Sequence, residues 1–239
     1  MTEAKNIKIA CVFNDKKIFD EVVGQNQNVK DFEITTFDNT VENIGISKRY
    51  NSYLEKLNKD DDFWIIFCHQ DFGFEKNPYK KINSLNKKNI YGAIGTSFYY
   101  SPIRAIKKFL MKKSDEYSPF KRKFFGQIRQ GQGELGFKDF GEKIFFEKSV
   151  STLDCCCMIV HSSLINKYNL RFDENLDWHM YVEDFCINAS KNHKIKLKAA
   201  QFNCFHLGEG SLNEDFFNCA KYVKRKYSLK NLFTTCLDG

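Results

Sequence analysis

A chain of 239 residues, 42% hydrophobic and 28% charged, is long enough for one large domain, or a closely joined pair, with a real core. No apolar run approaches the roughly 20 residues that cross a bilayer, and Met1 to Asn6 do not open a basic stretch followed by an apolar one, so neither a membrane span nor a secretory leader is expected. Nine cysteines, an odd number with no C-x-x-C pair, predict reduced thiols in a cytoplasmic protein rather than a disulfide framework or a zinc site.

The first predicted element is a strand over residues 7–13, ending at Asn14 and Asp15; a second covers 32–37 and ends at Asp38. Residues 47–57 predict a helix with Tyr50, Tyr53, Leu54 and Leu57 on one face. The run Phe63-Trp64-Ile65-Ile66-Phe67-Cys68 is apolar throughout, the mark of a strand buried on both faces, and 90–94 is a shorter fourth strand. Regularity fades from 97 to 146. Glycines 126, 131, 133, 136 and 141, with many basic and aromatic residues, predict a long excursion there, suited to a lid or binding loop and carrying one short amphipathic helix (Ile103, Ile106, Leu110). Beyond it lie a strand over 150–160 broken by Asp154, a helix over 162–168, a helix containing Glu183, an alternating strand at 195–199 and a basic helix from about 214 to 227.

Strands separated by helical stretches indicate an α/β fold built on a mixed, mostly parallel sheet, in which ligands bind beyond the carboxyl ends of the strands. Asn14, Asp15, Asp38 and Asp71 all fall at that edge. Glu183 and Asp184 fall at a helix start, where the helix dipole favours ionised carboxylates. The net charge of +7 is local: Arg104, Lys107, Lys108, Lys112, Lys113, Lys121, Arg122, Lys123 and Arg129 face only Asp115 and Glu116, and a second cluster is Lys221, Lys224, Arg225, Lys226 and Lys230. Such patches attract phosphates of nucleic acid, of anionic lipid or of a phosphorylated substrate. Nucleic acid is disfavoured, because the acids gathered at the sheet edge would repel a polyanion in the absence of metal.

Several segments, in order, resemble the glycosyltransferase-like branch of family 2 glycosyltransferases. Ser47-Lys48-Arg49-Tyr50-Asn51 is similar to that family's helix start, and Phe67-Cys68-His69-Gln70-Asp71 to its Phe-x-His-Gln-Asp strand end. Val150 to Asp154 resembles its Val-x-x-Leu-Asp, Phe172-Asp173-Glu174 its Phe-Asp-Glu, and His179 to Phe185 its His-Phe-Tyr-Asp-x-Asp-Phe; His206 to Gly210 is similar to its His-x-Ser-x-Gly ending. The match covers roughly residues 7 to 210. It departs at Val182, Cys155 and Gly208, where the family has Asp, Gly and Ser.

The resemblance implies a single GT-A domain over 1–239, with a Rossmann-like nucleotide-sugar-binding half at 1–96 and an acceptor-binding half at 97–239. It implies metal-dependent, inverting transfer of a sugar from a nucleotide-diphosphate sugar, a UDP-sugar foremost, to a glycan or lipid-linked glycan hydroxyl in surface polysaccharide synthesis. By the same resemblance Asp71 and His206 hold Mn²⁺ or Mg²⁺, and Asp184 is the catalytic base with Glu183 beside it. Phe13, Asn14, Asp38, His69, Asp154, Trp178 and His179 bind substrate, and Arg129 or a neighbouring basic residue reaches the diphosphate. The basic segments imply peripheral contact with the inner membrane face. His69, standing where the Asp-x-Asp motif of GT-A enzymes has its other acid, and Val182, where the family has Asp, leave an alternative: a catalytically impaired nucleotide-sugar-binding protein.

Overall fold

A computed structural model describes residues 6–110, 119–131, 136–208 and 212–237. Its layering follows from the two-residue repeat of the strands, which sends successive side chains to opposite faces. In β1 (Ile7–Phe13), Ile7, Ile9, Cys11 and Phe13 enter one core while Ala10 and Val12 enter another. Trp64, Ile66 and Cys68 of β3 (Trp64–His69) alternate in the same way with Ile65 and Phe67. In β11 (Cys157–His161), Cys157 and Ile159 alternate with Met158 and Val160. The unbroken apolar run of β3 therefore feeds both faces.

The central sheet has seven strands in the order β2-β1-β3-β11-β5-β12-β9, with β2 at Glu33–Asp38, β5 at Asn89–Gly92, β9 at Lys148–Ser149 and β12 at Lys196–Ala199. β2, β1 and β3 run parallel, as do β5 and β12, whereas β11 is antiparallel to both β3 and β5. The carboxyl ends of β1, β2 and β3 thus share an edge with the amino end of β11. One face is covered by helices α2 (Ile46–Leu54), α5 (Ser162–Tyr168), α6 (Tyr181–His193) and α7 (Glu214–Lys226). The other is covered by α1 (Lys16–Phe19) with the π-helical turn Asp20–Gly24 that continues it, by α3 (Tyr79–Asn83), and by a second sheet.

That second sheet is where the sequence expectation falls short. The described residues between 95 and 142 are not an irregular excursion. They contain β6 (Gly95–Tyr100), the amphipathic helix α4 (Pro102–Leu110), the eleven-residue β7 (Phe120–Gln130) and β8 (Lys138–Glu142). With β10 (Thr152–Leu153), β13 (Cys204–His206) and β4 (Phe72–Phe74) they form a sheet ordered β10-β6-β7-β13-β4, with β8 beside β7. Glycine explains the irregular appearance: Gly126 (φ 88°) and Gly141 (φ 95°) interrupt strands in a conformation other residues rarely adopt. Lys112, Lys113 and Gly133 lie outside the described residues, as do Glu209 and Gly210 of the last resembling segment.

The segments that carry the resemblance meet in space. The buried Asn51 side chain donates to Phe172 O and Glu174 Oε1 (both 2.9 Å) and accepts from Phe172 N (2.9 Å). Tyr50 donates from its hydroxyl to Cys68 O (3.1 Å), and Ser47 Oγ donates to Leu176 O (2.6 Å). These bonds pin the loop before α6 onto α2 and hence onto β3. Replacing Asn51 by Ala leaves the Phe172 N–H and C=O buried without partners, so urea unfolding of Asn51→Ala should show a loss of about 2–4 kcal/mol at unchanged m-value.

Candidate functional site

A cleft of about 230 Å³ opens at the shared strand edge, lined by Val12, Asn14, Asn39, Ile46, His69, Gln70, Asp71 and Trp178. Its floor is rigid because Gln70 ties two strand ends together: Gln70 Oε1 accepts from Asn14 N (2.8 Å) and Asp15 N (2.9 Å), and Gln70 Nε2 donates to Asn14 Oδ1 (2.8 Å). The opposite wall is set by Ile46 N donating to Asp177 O (2.9 Å), which brings Trp178 beside Ile46.

Around His69 and Asp71 of this lining three side chains from distant parts of the chain converge, His206 joining them from behind the cleft wall. β4 and β13 pair antiparallel with Phe72 opposite His206, and Leu207 N donates to Asp71 O (3.0 Å). His206 Nε2 therefore lies 3.2 Å from Asp71 Oδ1 and 3.4 Å from His69 Nδ1. One ligand atom from each residue falls within a 4.8 Å span. Burial alone would raise the Asp71 pKa, but the His206 hydrogen bond and the two imidazoles bring it down to about 2. Burial opposes the charged form of His206, and Asp71 outweighs it and raises the pKa; burial lowers that of His69, with His206 adding to the effect. An ionised carboxylate with two imidazole nitrogens is a donor set that fits a divalent ion accepting both oxygen and nitrogen.

Two neighbours hold this cluster in place. His69 Nε2 shares a 2.8 Å hydrogen bond with the hydroxyl of fully buried Tyr181, and with the proton on Nε2 the Nδ1 lone pair is free to point at the cluster. Tyr181 starts α6 directly after Met180, whose φ of 61° makes the sharp turn the helix start requires. On the other side a Cβ on Gly208 would lie 2.6 Å from Asp71 Oδ2. The glycine at this departure from the resembled pattern leaves Asp71 the room that a side chain would take.

Asp154 leads into β11 beside the end of β3, with its backbone N donating to Ile94 O (3.1 Å) and its Oδ1 accepting from Cys156 N (2.9 Å). Its Oδ2 accepts from the hydroxyl of Thr235. Glu183, in the first turn of α6, is only 4% exposed, and its Oε2 has no hydrogen-bond partner among the described residues. Burial, with Asp154 as its strongest charged neighbour, pushes its pKa up to about 8.

Asp184 does not stand where the sequence expectation needs it. Its carboxylate, 2% exposed, is ion-paired at 2.7 Å with Lys226 of α7, which also holds Asp173 at 2.7 Å. Burial raises the Asp184 pKa and the Lys226 contacts oppose the rise. Successive residues on a helix point about 100° apart, so α6 cannot turn Glu183 and Asp184 to the same side, and Asp184 faces α7.

Other expected residues also have different partners. Phe13 stacks on Phe19 in the core (4.8 Å, 20°), and Asp38 closes a turn by accepting from Thr40 N (2.8 Å) and Thr40 Oγ1 (2.6 Å). His179 packs edge-on against Phe216 of α7 (5.6 Å), and Arg129 pairs with Glu75 and lies over Phe137. Asn14, His69, Asp71 and Trp178 do line the cleft. Sequence reasoning missed Val12, Asn39, Ile46 and Gln70 in the lining, as well as Tyr181, Lys226 and Thr235. Gln70 and Tyr181 lay inside resembling segments; Lys226 was read only as part of a basic surface.

No family model and no curated protein matches the chain. Solved structures do. The structure of GalNAc-T7 with UDP, GalNAc and Mn²⁺ aligns over 93% of this chain and 48% of that one, at 8% identity and a TM-score of 0.52, so the chain spans about half of that protein's length. S. aureus TarS 1–349 in complex with UDP-GlcNAc aligns over 96% of this chain and 68% of that one (12% identity, TM-score 0.47), and A197 from STIV over 87% and 97% (13% identity, TM-score 0.42). The chain has the GT-A type of α/β fold.

Glu183 offers a direct check on the buried acid. Because its folded pKa lies above the unfolded value, its contribution to stability is complete below about pH 4.5 and is lost as pH rises toward about 8. Glu183→Gln cannot ionise. Its unfolding free energy should lie close to the parent's at about pH 4 and exceed it increasingly up to pH 8, by up to about 4 kcal/mol. A difference independent of pH would contradict the burial of an acid in neutral form.

Proposed function

We propose that the protein is a metal-dependent glycosyltransferase that moves a sugar from a nucleotide-diphosphate sugar, a UDP-sugar foremost, to a hydroxyl of a glycan or lipid-linked glycan, with inversion at the anomeric carbon, in surface polysaccharide synthesis. The observation that carries this reading is the meeting of His206 with His69 and Asp71, two residues that line a cleft at the carboxyl edge of a parallel strand block. Support also comes from the fold shared with GalNAc-T7, whose crystal holds UDP, GalNAc and Mn²⁺.

In this reading His69, Asp71 and His206 hold the ion, and two imidazoles favour Mn²⁺ over Mg²⁺. When bound, such an ion neutralises the charge that grows on a departing diphosphate. Asn14 and Asn39 offer amide groups to the nucleoside, and Trp178 offers a flat face to a ring. Asp154 orients the acceptor hydroxyl and Glu183 takes its proton. A carboxylate with a pKa of about 8 is a stronger base than an ordinary one and still ionises near neutral pH. The acceptor oxygen then bonds to the anomeric carbon on the face opposite the leaving nucleotide, which inverts the configuration. Asp184 serves as a strut between α6 and α7.

The ion-paired Asp184 and uncharged Glu183 also favour a second reading, a nucleotide-sugar-binding protein without turnover. Thermal shift with a panel of nucleotide sugars, with and without Mn²⁺, followed by chromatography of the products, separates the two. Transfer predicts a metal-dependent stabilisation, turnover, and a fall of about 10²- to 10⁴-fold in kcat for Glu183→Gln, with a smaller effect for Asp184→Asn. Binding without turnover in the parent would favour the second reading, and no binding with any nucleotide sugar would overturn both.

We also propose that the acceptor is met at an anionic membrane surface on the cytoplasmic side. No described helix is long and apolar enough to cross a membrane, but α4 exposes Ile103 (69%) and Ile106 (59%) beside the exposed Tyr99 and Tyr100 of β6 and the exposed Lys121 and Lys123 of β7. Apolar side chains next to basic ones suit an anionic headgroup layer. The double variant Ile103→Glu/Ile106→Glu should no longer float with phosphatidylserine vesicles, while the parent does; equal flotation of both would contradict this contact.

A further inference from the structure

Segment 232–237 lies against Asp154. Leu232, Phe233, Thr234 and Thr235 are buried, yet polar groups of the second sheet do much of the holding. Phe233 O accepts from Thr152 Oγ1 (2.7 Å) and Thr96 Oγ1 (3.2 Å), and Arg122 Nη1 donates to Thr234 O (2.9 Å) and Thr235 O (2.8 Å). The Phe233 ring stacks on Phe98 (5.0 Å, 25°). At the centre of the segment Thr235 donates its hydroxyl to Asp154 Oδ2. A threonine side chain is a secondary alcohol, the same functional group as a sugar ring hydroxyl. It is docked on the carboxylate that is the strongest charged neighbour of Glu183, whose own Oε2 is buried and unpartnered among the described residues.

We propose that Asp154 and Glu183 form the subsite for the attacking hydroxyl of a glycan acceptor, that Thr235 fills it as an internal stand-in, and that segment 232–237 withdraws before the acceptor binds. The inference rests on the transfer reading given above and adds to it an order of events. None of residues 232–237 lines the donor cleft, so a nucleotide sugar enters with the segment in place. Until an acceptor displaces Thr235, the same contact keeps water off Asp154, which would otherwise let an activated sugar be hydrolysed. Specificity follows as well: an acceptor must present a hydroxyl able to replace a threonine on Asp154.

Hydrogen-exchange mass spectrometry and saturation-transfer NMR on the full chain test this together. The proteins are the parent, Thr235→Ala and a chain ended after Asn231. The probes are methyl glucoside, methyl galactoside and methyl N-acetylglucosaminide, and the UDP–Mn²⁺ thermal shift is recorded alongside. Loss of one hydrogen bond to a charged group should speed exchange in 232–237 of Thr235→Ala by about tenfold. At least one glycoside should then give a signal that the parent lacks, with the UDP–Mn²⁺ shift unchanged. A released segment without any glycoside signal would overturn the proposal, as would glycoside binding by the parent with 232–237 fully protected. If Thr235→Ala leaves the segment protected and the shortened chain fails to fold, 232–237 is a core element and the proposal falls. Absence of a UDP–Mn²⁺ shift in all three proteins strikes the donor reading instead, and the glycoside result still decides the fate of the stand-in.

Discussion

The short antiparallel ladder between β4 and β13 sets Phe72 opposite His206, and that register decides whether the protein has a metal-ligating cluster at all. Asp71 is the residue immediately before β4, so a slip of one position would turn His206 to the other face of its strand and away from Asp71. The register is held at both ends. Leu207 N donates to Asp71 O, while Phe72 and Phe74 fill the core beneath (ring centroids 5.2 Å apart). Gly208 then lets the chain pass close against Asp71 without displacing it. His69 joins from β3, oriented by Tyr181 at the start of α6, so both layers of the molecule contribute to one small cluster.

Charge burial around this cluster is uneven, and the unevenness carries chemical meaning. Two adjacent acids on α6 meet opposite environments. Asp184 is neutralised by Lys226, a pairing whose loss would strand a charge inside the protein, and it therefore ties α7 to α6. Among the described residues Glu183 has no cation partner and one unpartnered oxygen, so burial favours its protonated form. A structural acid would be expected to resemble Asp184. A carboxyl held neutral beside a second carboxylate, with hydrogen-bonding capacity unused, resembles a group kept for a substrate.

Much of the architecture was legible from periodicity alone. The strand at 195–199 and the helices at 162–168 and 214–227 follow directly from alternation and from three- and four-residue spacing, because each buries a single well-defined face, and the strand at 7–13 follows from an apolar run that feeds both cores. The second sheet was hidden by its glycines and by basic residues on the partly exposed strand β7, whose alternation of Lys121, Lys123 and Phe125 with Arg122 and Phe124 gives no apolar stripe. At the site, Asp71 was readable as an acid at a strand end, and His69 and His206 through the segments that carry the resemblance. The fate of Asp184 was not, since Lys226 is 42 residues away and only tertiary packing brings it near. Thr235 carried no local signal of any kind.

The claim on which the rest depends is that His69, Asp71 and His206 together bind one divalent ion. Pulsed electron paramagnetic resonance of the protein with one equivalent of Mn²⁺ and excess UDP addresses it without any need for turnover. The account predicts bound Mn²⁺ with nitrogen couplings from two imidazoles, one of which disappears in His206→Ala while the other persists. Bound Mn²⁺ lacking any imidazole nitrogen coupling, or a spectrum of free aqueous Mn²⁺, would contradict it.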